Sequence, residues 1–352
     1  MATITVICSG MMGTAITFPA AQNGHTIRLV GSPLDNEIIA HGQKTREHLN
    51  LLKYTPTLTP ENVTFHYFEE MDECIKGADL IICGVSSFGM QWFCENIIPR
   101  LPEDIPLLSI SKGMIDDGEN KGHLISYPEY MLRFTDKKLK IYAVGGPCTS
   151  YELVDKDPTE VTFCGPDMET LRWLKGIFET DYYNISLSTD VHGVECTVAL
   201  KNAYALGVSL AIGMSYKREG KVFEHYNSQA GIFAQASKEM YHLLNAFGGT
   251  SERNIFLGIG DLYVTVFGGR NRKLGTLLGQ GYTYEEAKEM LAGITLEGVI
   301  ISERTAKAVE ELAALGVLDI KDFPLIMHIK ELLLDGKTVN VPWKEFETLY
   351  EG

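Results

Sequence analysis

The chain opens with a β-rich run, Ala2-Thr-Ile-Thr-Val-Ile-Cys8, that turns through Ser9-Gly10-Met11-Met12-Gly13 straight into the helical pattern Thr14-Ala15-Ile16. Strand, glycine turn and helix in immediate succession constrain the fold, because parallel strands need a crossover and a helix supplies it. Residues 24–31 give a second strand at the expected distance, and 62–67 a third. The run Ala78-Asp-Leu-Ile-Ile-Cys-Gly-Val85 is continuously apolar, as a parallel strand covered on both faces requires. Further strands read at 106–111, 140–145 and Thr159–Cys164, with helical patterns between them. This predicts an α/β fold with a doubly wound sheet over residues 1–187. From Ser188 onward helical periodicity takes over: Thr189 or Asp190 caps a long helix through Cys196, Lys201 and Ala205, and more helices follow at about 227–247, 284–291, 299–315 and 323–335. The second domain, 188–352, is therefore mainly α-helical. With no repeat, low-complexity tract or flexible linker, the expected joint is compact and the active site lies between the halves.

A glycine turn between a first strand and its helix is the place where a Rossmann-type domain passes a dinucleotide pyrophosphate close to backbone amides at a helix N-terminus. Ser9, Gly10, Met11, Met12 and Gly13 are the candidate cofactor-binding turn, although Cys8 stands where the first fingerprint glycine would be. The alternative is a glycine turn in another α/β fold. Ser86, after the apolar strand, and Ser32, after the second strand, sit at strand C-termini, where ligands bind open α/β sheets. Val30-Gly31-Ser32-Pro33-Leu34-Asp35 shows no acid at the strand tip for a ribose 2′-hydroxyl and no arginine for a 2′-phosphate, so NAD and NADP both remain open. Lys44 and Arg46 read as surface cations on a helix, the alternative being that they reach a 2′-phosphate from the segment after the second strand.

A net charge of −15 over 352 residues argues against wholesale binding to nucleic acid or an anionic membrane, so any anionic ligand must be held by local cations and amides. Seven scattered cysteines without C-x-x-C spacing indicate a reducing compartment, the cytoplasm, with neither disulfide framework nor metal site. The N-terminus carries no signal-peptide pattern. The longest apolar helical stretch, 202–214, falls short of the roughly 20 residues needed to cross a bilayer, so no integral membrane association is expected.

Chemistry concentrates at three places. Gly258-Ile-Gly-Asp-Leu-Tyr-Val-Thr-Val-Phe-Gly-Gly-Arg-Asn-Arg272 packs Asp261, Thr265 and an Arg270-Asn271 pair into one segment suited to a small phosphorylated substrate, the other reading being a solvated loop. Lys112 follows a strand directly, at the mouth of the sheet, where a plain surface charge is the alternative. Lys201 lies inside the apolar run Cys196-Thr-Val-Ala-Leu-Lys-Asn-Ala-Tyr-Ala-Leu206, where it must find an acid, with Asp261 the natural partner, or do proton chemistry. A protonated lysine beside a nicotinamide suits ketone reduction, and a structural ion pair is the competing reading.

Taken together these residues resemble the NAD(P)-dependent sn-glycerol-3-phosphate dehydrogenase family, in its archaeal-type branch. The resemblance covers nearly the whole chain, through Gly13-Thr14-Ala15, Ser111-Lys112-Gly113, Gly146-Pro147, Ala199-Leu200-Lys201-Asn202, Gly260-Asp261-Leu262, Gly268-Gly269-Arg270-Asn271 and Glu297-Gly298. It implies reversible reduction of dihydroxyacetone phosphate to sn-glycerol 3-phosphate with NAD or NADP, in a homodimer supplying lipid or envelope synthesis. By similarity Lys201 is the proton donor and acceptor and Lys112 polarises the carbonyl. Asn202, Asp261 and Thr265 orient the substrate near Gly146, and Arg270 and Asn271 hold its phosphate, with Glu297 and Arg270 at the cofactor.

Departures from the family pattern are Cys8, the absence of a Phe two residues after Pro147, Gln229 where a lysine is common, and Ala234-Gln-Ala-Ser237 without an arginine. The missing cations leave open a larger ketose or aldose phosphate. A non-catalytic nucleotide sensor is the alternative from another class.

Overall fold

The computed structural model describes residues 1–221 and 225–347. They form two compact units: Met1–Lys112 with Ser126–Glu195, and Gly113–Ile125 with Cys196–Gly352. Residues 113–125, which follow Lys112 in the chain, group with the second unit.

The first unit is built on strands β1 (Thr3–Ile7), β2 (Thr26–Val30), β3 (Val63–His66), β4 (Leu80–Cys83) and β5 (Leu107–Ser109). A short pair, β6 (Met114–Asp116) and β7 (Leu124–Ser126), forms its own two-stranded sheet, and the main sheet resumes with β8 (Ile141–Gly145), β9 (Thr159–Cys164) and β10 (Tyr183–Ser188). The eight-stranded order is β10-β9-β8-β5-β4-β1-β2-β3. All neighbours run parallel except β8 with β9. Alternate residues feed two separate cores, the mark of a sheet covered on both faces. Ile4, Val6, Ile27, Leu29, Leu80, Ile82 and Leu108 enter one, while Ile7, Val30, Ile81, Cys83 and Leu107 enter the other. The expected Rossmann-type doubly wound sheet is present. The sequence reading missed β10, whose outer residues alternate buried and exposed, and the β6–β7 pair, which is only three residues a strand.

The second unit is helical, as expected. Its axis is the helix Val191–Glu219, and Asp190 caps the start, its carboxylate accepting from the Gly193 amide at 3.0 Å. This helix carries an 18-residue window of mean hydropathy 1.3, so by length and composition it could cross a membrane, which the sequence reading of 202–214 did not allow for. The helix extends well beyond 202–214 at both ends, which gives such a window room. Its residues are 89% buried inside the protein, which makes it a core helix.

Glycines bring a second helix, Gly269–Gln280, against this axis at backbone distance. A Cβ at Gly275 would strike the Leu206 carbonyl oxygen, one at Gly279 the Leu210 carbonyl oxygen, and one at Gly213 the Thr276 carbonyl oxygen. The close crossing sets Asn271 beside Asn202. Replacing Gly279 with alanine is therefore expected to cost about 1–3 kcal/mol by overpacking, read as a lowered Tm and as lost activity. Gly176→Ala, where the added methyl meets nothing within 4 Å, is the control and should be neutral or stabilising.

Candidate active site

The strand order reverses between β1 and β4, so the carboxyl ends of these neighbours form the crevice in which open α/β sheets bind ligands. Cys8 leaves β1 with φ 80°, the left-handed conformation that a fingerprint glycine would adopt, while its amide still bonds Val30 O at 2.8 Å. Burial pushes its thiol well above the ordinary range. The turn is closed tightly: a Cβ on Gly13 would strike the Cys8 carbonyl oxygen, and one on Gly84 would lie 2.7 Å from it. The helix Met11–Ala15 starts at Gly10 with no side chain capping its first turn. Ser9 is fully buried, and its Oγ has no hydrogen-bond partner among the described residues. Met11 and Met12 lie partly buried against the sheet core. Ser86 begins a short turn, accepting from the Gly89 amide through its carbonyl.

One reading of this region is corrected. No acid was expected at the tip of β2, yet the turn Ser32-Pro-Leu-Asp35 folds the Asp35 carboxylate back to it, where it accepts from the Ser32 amide at 2.7 Å and the Ser9 amide at 3.2 Å. The signal was the Asp three residues after Ser32, closing a turn in which Asp35 N bonds Ser32 O. Arg46, read as a surface cation, donates to the carbonyls of Thr59, Pro60 and Val63 and is thereby committed to the fold. Lys112 Nζ donates to Gly146 O at 2.5 Å, which brings those two predicted residues together.

In the second unit the segment read as a loop is two helices, Asn254–Phe267 and Gly269–Gln280, broken at Gly268-Gly269. Gly269 has φ 89°, so the glycine pair serves the change of direction that starts the second helix at Arg270-Asn271. Lys201 pairs with Asp261, with side chains 12% and 1% exposed. Asn271 donates through Nδ2 to Asn202 Oδ1 at 2.9 Å and accepts through Oδ1 from the Gly298 amide at 3.1 Å. Three helices thus share one side chain. Arg270 is half exposed, with Nη2 3.4 Å from Glu297 Oε1. Thr265 donates its hydroxyl to Asp261 O at 2.7 Å, a bond within its own helix. Of the residues noted for lacking cations, Gln235 is spent on Glu239 at 2.9 Å, and Gln229 Nε2 is buried with no partner among the described residues.

Sequence reasoning also missed Glu195. It is fully buried and neither carboxyl oxygen has a hydrogen-bond partner among the described residues. Burial pushes its carboxyl up to about 8, with the Lys112 ammonium pulling it down and the Glu129 carboxylate pushing it up. A carboxyl kept neutral in this way leaves the positive charge of Lys112 uncancelled by its neighbour.

Residues 3–171 match the family described as NAD-dependent glycerol-3-phosphate dehydrogenase N-terminus, and 190–344 match its C-terminus. The chain belongs to the NAD-dependent glycerol-3-phosphate dehydrogenase family. It is 31% identical over 338 residues to an NADP(+)-dependent glycerol-3-phosphate dehydrogenase of Archaeoglobus fulgidus, covering 96% of both chains. Similarity to a glycerol-3-phosphate dehydrogenase [NAD(P)+] of Desulfotalea psychrophila is 28% over 346 residues, covering 95% and 93%. Solved glycerol-3-phosphate dehydrogenases share the fold. That of Plasmodium falciparum has TM-score 0.81 at 19% identity, covering 100% of this chain and 96% of its own. The one from Coxiella burnetii has TM-score 0.78 at 20%, covering 98% and 97%.

The pH dependence of stability carries the signature of Glu195. Its folded carboxyl titrates at about 8 against 4.5 for the free group, so between these values the unfolded chain has released the proton that the folded chain keeps. Stability fully present below pH 4.5 is lost progressively as pH rises to about 8, and above that no further loss follows because both states have released the proton. Glu195→Gln removes this slope. Its stability relative to the parent is expected to rise from pH 5 to about pH 8, at about 1.4 kcal/mol per pH unit at most, and to level off above that. An unchanged difference across that range, measured by calorimetry, is the contrary result.

Proposed function

We propose that this chain catalyses reversible NAD(P)H-dependent reduction of dihydroxyacetone phosphate to sn-glycerol 3-phosphate, with cofactor on residues 1–187 and substrate on 188–352. The observation that carries the reading is the Lys201–Asp261 ion pair, its lysine within the apolar run 196–206. Family membership supplies the reaction class, and the paired lysine supplies a proton source suited to it.

The β1 turn fits a dinucleotide. Gly13 and Gly84 sit where side chains would block the turn, the first-turn amides have no side-chain cap, and Ser9 Oγ is an orphaned polar atom beside them. Ser9, Gly10, Met11, Met12 and Gly13 would hold the pyrophosphate, Ser32 and Ser86 the adjoining groups, and Arg270 and Glu297 would complete the cofactor's surroundings. When bound, the reduced cofactor supplies a hydride to the carbonyl carbon. Lys201 gives the proton that the resulting alkoxide oxygen needs, and in the oxidative direction takes it back. Asp261 keeps Lys201 charged and fixes its direction. Lys112, steered by Gly146 O, polarises the carbonyl. Asn202, held by Asn271, orients the substrate together with Thr265. The Arg270 guanidinium binds the phosphate with Asn271 beside it. We place the protein in the cytoplasm as a homodimer, acting on a small phosphorylated ketone and its alcohol, in service of glycerophospholipid synthesis. The seven cysteines, all free, support the reducing compartment.

Lys201→Ala should lower kcat by about 10²–10⁴-fold while NADH binding stays near the parent value. Retained turnover would remove Lys201 from the chemistry. Arg270→Ala should raise KM for dihydroxyacetone phosphate about tenfold or more, the scale of a lost charge-assisted hydrogen bond, with little effect on unphosphorylated dihydroxyacetone. Oxidation of NADH and NADPH followed at 340 nm against longer ketose phosphates tests the substrate itself: preference for a larger ketone would point to the altered residues around Gln229, and silence on every phosphosugar to a nucleotide sensor.

A further inference from the structure

The backbone of Ser9 is held on both sides by side chains far away in sequence. Its N–H donates to Asp35 Oδ2 at 3.2 Å, and the same oxygen accepts from Ser32 N at 2.7 Å, so one carboxylate joins the turn after β1 to the turn after β2. On the carbonyl side, Ser9 O lies 2.8 Å from His48 Nε2. The tautomer follows from the other ring nitrogen. His48 Nδ1 lies 3.3 Å from the Asn50 amide and 3.2 Å from the Leu51 amide, and amides only donate, so Nδ1 is an acceptor and Nε2 carries the hydrogen. His48 is 1% exposed, and burial lowers its pKa, which favours the neutral ring these bonds require.

This clamp closes on Ser9, directly after Cys8, the one turn residue that departs from the fingerprint. Cys8 holds φ 80° without glycine's freedom, a strained conformation for a residue with a Cβ, and a free turn would relax away from it. We propose that Asp35 and His48 are positioning residues for the cofactor turn, which fix the two peptide groups flanking the Ser9 Cα in the orientation that presents the following amides to the dinucleotide. The proposal rests on the reading that this turn holds the cofactor. It assigns Asp35 a task different from reading the ribose, because its carboxylate oxygen is already shared by two backbone amides. Its loss therefore weakens NADH and NADPH alike.

The test is direct calorimetric titration of NADH and NADPH into the parent, Asp35→Ala, Asp35→Asn and His48→Ala, with steady-state kinetics beside it. The expected result is a rise of about tenfold in Kd and cofactor KM for both dinucleotides in Asp35→Ala, with kcat within about twofold. Asp35→Asn, which keeps an acceptor oxygen, should recover part of the loss. His48→Ala should act in the same direction, and the double variant should lose less than the product of the two, since both residues hold the backbone of Ser9. If Asp35→Ala instead gains NADPH while losing NADH, Asp35 reads the ribose and the proposal is overturned. Unchanged dissociation constants, or a fall in kcat without a change in binding, overturn it as well. Should Asp35→Ala fail to fold by circular dichroism, Asp35→Asn carries the same comparison. Titration does not require turnover, so a parent that binds NADH but ignores dihydroxyacetone phosphate sinks the substrate reading and leaves this one standing. A parent that binds neither dinucleotide sinks this one.

Discussion

An ammonium group in the middle of an apolar helix must be answered by a carboxylate or give up its charge, and Lys201 is answered by Asp261. That requirement organises the second unit. Asp261 can be buried at 1% exposure only because its helix, Asn254–Phe267, packs its buried face onto the same core as the long helix. The helix that follows must then turn sharply and return along the axis, which the Gly268-Gly269 break and the glycine contacts at 213, 275 and 279 permit. Asn271 arrives beside Asn202 as a consequence of that packing. Its second bond, to the Gly298 amide, ties the start of helix Glu297–Ala314 to the same point, one residue from Glu297 and its approach to Arg270.

Buried acids elsewhere in the chain meet the same problem by a different route. Glu239 accepts from Tyr204, Gln235 and the amides of Leu325 and Ile326, and burial still pushes its carboxyl up to about 7. It ties three segments of the helical unit together at the centre of the core, where four donors offset much of the desolvation. Glu195 has no such set of donors among the described residues and stands higher, at about 8. The contrast separates a carboxyl whose bonds explain its position from one whose position still calls for a function.

The sheet was legible because its determinants are local. A fully buried parallel strand is a short apolar run, and Ile81, Ile82 and Cys83 need no knowledge of the rest of the chain to be read that way. Lys201 was legible for the opposite reason, as a local violation of an apolar pattern. What escaped depended on distance or on reading composition as conformation. Residues 258–272 are rich in glycine and looked like a loop, but Gly258 lies inside a helix and serves close packing, a Cβ there lying 2.6 Å from that of Thr197, and the break between the two helices is confined to Gly268-Gly269. Asp35 and His48 escaped because their partner, Ser9, is 26 and 39 residues away and offers only backbone atoms, which leave no trace in side-chain chemistry.

The substitution at Cys8 shows why a motif can fail as a pattern and persist as a structure. The fingerprint glycine is a statement about φ, and φ 80° is still reached here with a thiol at the position. What glycine would provide without cost, this chain secures by surrounding contacts: Cys8 N to Val30 O, Gly84 N to Ile7 O, and the two bonds on Ser9. Strain of this kind persists only where neighbouring structure over-determines it. The rigidity of the turn is then a property of β2, β4 and the segment bearing His48 as much as of the turn residues. Changes at those outlying positions reach the turn through the backbone of Ser9, and a sequence comparison confined to the glycine motif would not register them.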